Sequence, residues 1–526
     1  MWNSSSIPRR RSFLGALLVL VPLATTRADE LAERLAEFRR VFDSPKSEPE
    51  DRRASALALE GFDDPRVVEA LLTALKACAR EFTRLTEQRQ AFESEITGLI
   101  RGQEFGERTL PTLTLNAVED LKARVRELAA RELELGELVS ALEAGLRSQR
   151  KSETRTLLLV HALQEDDLPF SLRLDLARGA ADPALAPPIV QALVRSRDPA
   201  EMLVALTAAH AVGPAACGGV RRVVGFLAHP DPCVRVLAAS TLARLAAPEG
   251  LAPLVARLGL ESGRTRRRFA IALEQLTGMN LGENEHAWKT WYAKEGARFS
   301  AGEVELGAGR SRLAEFDAAE EGGDPRYAPF YGIPLDGLAI VYVIDCSGSM
   351  VLSVDDPEHR GDTPVDAGKD SRLAATKEAL IEALGKLPPS ATFDIVCFND
   401  VVISFAPEML AARPSEVKRA QAWVAELKAS NATNTYAALE AAFRIAERGT
   451  LDRYYAPEAE TIFLLTDGIP TLNNGEPDST ERIFAALRAW NPLQRIVVHT
   501  IGIGRELNAA FLRRVALENG GRCVQF

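Results

Sequence analysis

A chain of 526 residues is long enough for about three domains, and 46% apolar with 26% charged residues is ordinary for a soluble globular protein. The formal charge of −10 becomes −14 once an amino-terminal segment with four arginines and no acid is set aside, which argues against nucleic acid as a partner because phosphate binding needs basic patches. No unbroken apolar run after residue 30 approaches about 18 residues, so no membrane span is expected in the mature chain.

Residues 1–28 read as a signal peptide. Arg9-Arg10-Arg11 is the charged start, Phe13 to Ala24 the apolar core, and Thr26-Arg27-Ala28 the small-residue cleavage site. Arg10-Arg11-Ser12-Phe13-Leu14 also resembles a twin-arginine signal, a route for folded proteins, with a general secretory signal as the alternative. The expected location is exported: periplasmic, cell-surface or secreted.

Residues 29–150 form a helical region. A helix stop and restart falls at Asp63-Asp64-Pro65. A long helix then places Leu75, Cys78, Phe82, Leu85, Phe92, Ile96 and Leu99 on one seam, interrupted by Arg89. After a turn containing Gly and Pro, a second helix repeats the pattern at Val118, Leu121, Val125, Leu128, Leu135, Val139, Leu142 and Leu146, interrupted by Glu132. Two such helices predict an antiparallel coiled-coil hairpin. Folding it at the loop midpoint brings Glu132 within one helical turn of Arg89, so the two are expected to pair across the seam.

Residues 151–296 are expected to form helices of about 12–15 residues. Asp182-Pro183, Asp198-Pro199 and Asp231-Pro232 each mark a start, with Pro at a tolerated first-turn position. Asp231-Pro232-Cys233-Val234-Arg235, followed by Ala238 and Leu242, resembles HEAT-type repeats, which implies a stacked α-solenoid presenting a surface to a partner. Trp288, Trp291 and Tyr292 read as a packed cap on the closing helix. Residues 297–336 are a Gly-, Ala- and acid-rich linker.

From 337 to 526 the period changes. Strands are predicted at 339–345, 393–398, 461–466, 495–501 and 522–526, with a short one near 401–405. Helices are predicted at 371–386, 415–428, 434–447, 478–489 and 507–518. This alternation predicts a doubly wound, Rossmann-like α/β sheet, so the whole chain is multidomain: all-α first, α/β last.

Within that domain the chemistry gathers at strand ends. The run Ile340 to Ile344 leads into Asp345-Cys346-Ser347-Gly348-Ser349, three oxygen-bearing side chains in five residues at a strand-to-loop corner. Thr433 lies just before a helix, and Thr466-Asp467-Gly468 closes another buried strand. Hard divalent cations want such oxygen ligands, and open parallel sheets bind ligands outside the carboxyl ends of their strands.

Asp345-x-Ser347-x-Ser349, Thr433 and Asp467, in this order and spacing, resemble the metal-ion-dependent adhesion site of von Willebrand factor A domains. The resemblance covers about residues 335–526. Asn431-Ala432 stands where that family often has two glycines, a departure that costs no ligand. The resemblance implies that Asp345, Ser347, Ser349, Thr433 and Asp467 hold Mg2+, or Mn2+ or Ca2+. It further implies that the ion takes a carboxylate from an acidic side chain of a partner protein. The expected function is non-enzymatic protein binding and adhesion on a helical-repeat scaffold. The alternative is an assembly scaffold that binds through its helices and carries a passive α/β module.

Nothing in the sequence favours catalysis. His161, His210, His229, His286, His359 and His499 show no zinc spacing, Ser347 and Cys346 lack a nearby base, and no phosphate-loop motif is present. The six cysteines lack the spacing of a disulfide framework and are expected as mostly buried free thiols. An acidic insert, residues 351–370, separates Met350 from the next helix, where most relatives have only a few residues. It is read as a lid on the metal, a second cation site or an inert surface loop.

Overall fold

The computed structural model describes residues 23–101, 112–164, 168–179, 181–301, 303–304, 306–307, 309, 311, 330–333, 338–352, 371–429, 432–446, 460–467, 469–472, 477–504 and 508–526. Most of the signal peptide, most of the linker and nearly all of the acidic insert lie outside the described residues.

The chain opens with α1 (Leu23–Phe42) and α2 (Pro49–Leu57). The expected hairpin follows as α3 (Pro65–Arg101) and α4 (Thr112–Arg147). Its seam buries Leu75, Cys78, Leu85 and Ile96 against Val118, Leu121, Val125, Leu128, Leu142 and Leu146. The two polar breaks meet as expected, with Arg89 Nε donating to Glu132 Oε2 at 2.8 Å. Two further carboxylates share this guanidinium: Nη1 reaches Glu93 at 2.6 Å, and Nη2 reaches Glu440 of the α/β domain at 2.6 Å.

The next helices are α5 (Ser152–Gln164), α6 (Phe170–Arg178), α7 (Ala186–Arg195), α8 (Pro199–Val212), α9 (Val220–Phe226), α10 (Pro232–Arg244), α11 (Leu251–Leu258), α12 (Gly263–Thr277) and α13 (Glu285–Ser300). Helices α6, α8, α10 and α12 pack each on the next, while α7 and α9 pack beside α8 and α10, and α11 and α13 on each other. The aspartates of the Asp-Pro pairs act as expected: Asp182, Asp198 and Asp231 accept from the backbone N–H of Ala184, Ala200 and Cys233. Several helices are shorter than expected, and Asp182-Pro183 starts a 3-10 turn (Pro183–Leu185) instead of an α-helix. Trp288 is fully buried, donates its Nε1 to Gly282 O at 2.7 Å and meets Trp291 edge-on, as a cap should.

The stretch Pro199–Phe226 is long and apolar enough to cross a membrane by length and composition. A search for unbroken apolar runs passes over it because polar and charged residues punctuate it. In the fold, 67% of its most apolar part is buried, and it forms the centre of the helical stack.

The α/β domain has strands β1 (Ala339–Asp345), β2 (Thr392–Phe398), β3 (Val402–Ser404), β4 (Leu410–Ala411), β5 (Thr461–Thr466), β6 (Val497–Gly502) and β7 (Cys523–Gln525). Their order is β3-β2-β1-β5-β6-β7, with β4 also on β2. The core pairs β2-β1-β5-β6-β7 are parallel, and β3 and β4 are antiparallel. Because strand side chains alternate, Ile340, Tyr342 and Ile344 face α14 (Arg372–Gly385) and α15 (Pro414–Glu426). Val341 and Val343 face α16 (Thr435–Ala446), α17 (Thr480–Trp490) and α18 (Ala509–Glu518). Both faces are covered, which is why these strands read as continuous apolar runs.

The two regions touch directly. Besides Arg89 with Glu440, Arg495 Nη2 pairs with Asp231 at 2.6 Å, Arg178 Nη2 donates to Pro492 O at 2.7 Å, and Arg264 Nη1 donates to Arg495 O at 3.1 Å.

Candidate functional site: the corner where β1 and β5 end

The chain leaves β1 for β2 on one side of the sheet, while β5 lies on the other. The strand order therefore reverses at β1, and the crevice outside the ends of β1 and β5 is the place such a sheet offers a ligand. Asp345 is the last residue of β1, and Asp467 follows the last residue of β5.

Asp345 is completely buried. Its Oδ1 accepts from Ser347 N at 2.8 Å, and its Oδ2 accepts from Thr466 Oγ1 at 2.5 Å. Burial, reinforced by the Asp467 carboxylate, pushes its pKa up to about 7 despite these bonds. The loop beyond it turns through a 3-10 stretch, Gly348–Val351, pinned by the buried side chain of Met350. This turn sets the Ser347 and Ser349 hydroxyl oxygens 3.1 Å apart. Cys346 N donates to Phe398 O at 2.7 Å, tying the loop to β2.

Thr433 is held from another side. Its backbone N–H donates to Thr471 Oγ1 at 2.7 Å, and its carbonyl accepts from Thr471 N at 2.8 Å. Asn434 N donates to Asn399 O at 2.9 Å, and Asn434 Oδ1 caps α16 by accepting from Ala437 N at 3.1 Å. The Thr433 loop is thus clasped to the segment after Asp467 and to the end of β2. Direct bonds join Asp345 to Ser347 and set Ser349 beside it. Charge couples Asp467 to Asp345, and Thr433 is tied to Thr471, four residues past Asp467.

Two features escape a reading of the sequence alone. Arg372 Nη1 donates to Asp467 Oδ2 at 3.1 Å, with both side chains buried. Cys346 Sγ, one residue past β1, and Cys397 Sγ of β2 lie 2.7 Å apart as free thiols. Of the other cysteines Cys78 is buried, Cys233 and Cys523 are half-buried, and Cys217 is exposed.

The donor set fits a small hard cation. All five side chains offer oxygen, and a 3.1 Å hydroxyl separation is close to the ~3 Å edge of an octahedron with ~2.1 Å bonds. A buried carboxylate pushed up by a second one is a site short of positive charge. Among the described residues, no group of three or more His, Cys, Asp and Glu side chains is arranged to hold a metal.

Comparison with known proteins places the α/β region. Residues 365–524 match the family model of the von Willebrand factor type A domain. Thr433 and Asp467 lie inside that span, and Asp345, Ser347 and Ser349 lie before it. Inter-alpha-trypsin inhibitor heavy chain H4 of Bos taurus is 28% identical over 184 residues, 35% of this chain and 18% of that protein. The Sus scrofa heavy chain H4 is 30% identical over 186 residues, 35% of this chain and 17% of that protein. The chain therefore spans less than a fifth of the length of these relatives. Among solved structures, a von Willebrand factor type A protein from Catenulispora acidiphila is 24% identical with a TM-score of 0.29, covering 36% of this chain and 38% of that one. Manganese-loaded Plasmodium vivax TRAP protein is 18% identical with a TM-score of 0.25, covering 34% and 62%. With the family-model match and the sheet order in agreement, the carboxyl-terminal part of this chain is a von Willebrand factor type A domain.

Proposed function

We propose that this is an exported, non-enzymatic adhesion protein whose α/β domain holds a divalent cation through Asp345, Ser347, Ser349, Thr433 and Asp467. Through that cation the protein takes a carboxylate from a partner protein, and the helical region serves as its scaffold. Mg2+ is the expected ion, with Mn2+ or Ca2+ as alternatives. The observation that carries the reading is the buried Asp345 carboxylate, oriented by Ser347 N–H and the Thr466 hydroxyl beside a second carboxylate. When bound, the cation supplies Lewis acidity toward an incoming carboxylate. The protein's own part is to fix the oxygens. The two serines and Thr433 offer neutral donors, so little of the ion's charge is quenched.

Titration of the mature chain with Mg2+ and Mn2+ by calorimetry tests the site. Wild type is expected to bind one ion and Asp345→Ala none. Pull-downs from a native extract, with and without chelator, test its use. Capture that ignores chelator and survives Asp345→Ala would overturn the adhesion reading. That outcome would favour the alternative of a scaffold binding through its helices, a reading helped by the burial of Glu440 in the hairpin seam.

A further inference from the structure

Arg372 is the first residue of α14 and is only 2% exposed. Its place is tightly specified. Its N–H donates to Leu352 O at 2.9 Å, and its carbonyl accepts from Thr376 Oγ1 at 2.8 Å. Gly504, with φ of +97°, makes room for the guanidinium: a Cβ there would lie 2.6 Å from Nε. One nitrogen, Nη1, pairs with Asp467 Oδ2, while the buried Nε and Nη2 have no hydrogen-bond partner among the described residues. The helix field gives no relief, because a cation in the first turn faces the positive end of the dipole. A structural ion pair would be expected to satisfy its arginine more fully.

We propose that Arg372 is a positioning residue that sets the charge of the cation pocket. It ties down one oxygen of Asp467 and biases the loaded pocket toward anions. This rests on the proposed cation site. Asp345 and Asp467 together carry two negative charges, and Arg372 returns one positive charge. A divalent cation then leaves the pocket at a net charge of one positive instead of zero. Because the guanidinium is buried, water screens this surplus poorly. Arg372 thereby weakens the hold on the cation and strengthens the hold on a carboxylate. The ligand class it selects is an anionic side chain over a neutral isostere such as an amide.

The sign of the effect separates this role from simple support. Mn2+ is titrated into the mature chain at pH 8, and acetate, with acetamide as the neutral control, is titrated into the Mn2+-loaded protein. Arg372→Gln keeps a donor near Asp467 and loses the charge. It is expected to tighten Mn2+ about tenfold and to weaken acetate about tenfold, leaving acetamide unchanged. Arg372→Lys, which restores the charge, should stay within about threefold of wild type on both. If the Gln variant does not fold, Arg372→Met is expected to show the same two signs. Weaker Mn2+ binding in the folded neutral variant, or unchanged acetate affinity, overturns the inference and leaves the cation site standing. A wild-type chain that binds no Mn2+ overturns the site itself.

Discussion

Two buried arginines, one in each region, solve opposite problems. Arg89 uses all three faces of its guanidinium, on Glu93, Glu132 and Glu440, at 2.6 to 2.8 Å. Arg372, equally buried, has one carboxylate at 3.1 Å and two nitrogens without partners among the described residues. At the seam the arginine is the scarce charge: burial is the main cause pushing the Glu132 carboxyl up, with Glu440 adding to it against the pull of Arg89. At the β1–β5 corner the carboxylates face each other, and Asp345 is pushed up by burial and by Asp467. A fully used buried charge locks parts together. A partly used one, beside an over-crowded acid, marks a place arranged for something further.

The contrast is broken most severely by Arg89→Met. It strands three carboxylates in a dry seam, and a loss of about 3–5 kcal/mol is expected in urea unfolding. A loss below about 1 kcal/mol would mean the cluster is wet and structurally idle. Asp467→Ala comes next. The Arg372 contact makes Asp467 matter to the fold as well as to the corner. Its removal leaves a buried guanidinium without any carboxylate and should cost about 2–3 kcal/mol in the metal-free protein. Asp345→Asn should act in the opposite direction. A carboxyl whose pKa rises from 3.8 to about 7 on folding stabilises the fold at low pH and loses that contribution as pH climbs through about 7. The metal-free wild type should therefore weaken between pH 4 and pH 7 by an amount the Asn variant does not share. By pH 8 the variant should be the more stable by at least about 1 kcal/mol, and thermal melts in chelator across that range check the sign. Smallest is Glu132→Gln, expected below about 1 kcal/mol, because Arg89 keeps Glu93 and Glu440 and Glu132 Oε1 already lacks a partner.

Much of this was legible in the chain. The strands of the α/β domain stand out because both faces of the sheet are covered, most plainly at β1 and β5, whose apolar runs are nearly unbroken. Only β4, two residues long, left no periodic trace. Arg89 and Glu132 were visible as the only charged breaks in two heptad seams. Glu440 was not, because its contact with Arg89 spans 351 positions and joins separate regions. In sequence it looks like any acid on an amphipathic helix. At the corner, Asp345, Ser347, Ser349, Thr433 and Asp467 stand out in the sequence by their resemblance to the adhesion site of von Willebrand factor A domains. Arg372 hid as an ordinary helix-start residue. The one available signal was physical: a cation in the first turn of a helix opposes the dipole, so something else has to justify it.

The route from Arg89 to Thr433 also has a mechanical meaning. Glu440 grips the hairpin from α16, and Thr433 sits just ahead of the first turn of that helix. At 1.5 Å of rise per residue the two ends of this rod are about 10 Å apart. Tension applied to the hairpin therefore reaches the Thr433 loop along one stiff element, α16.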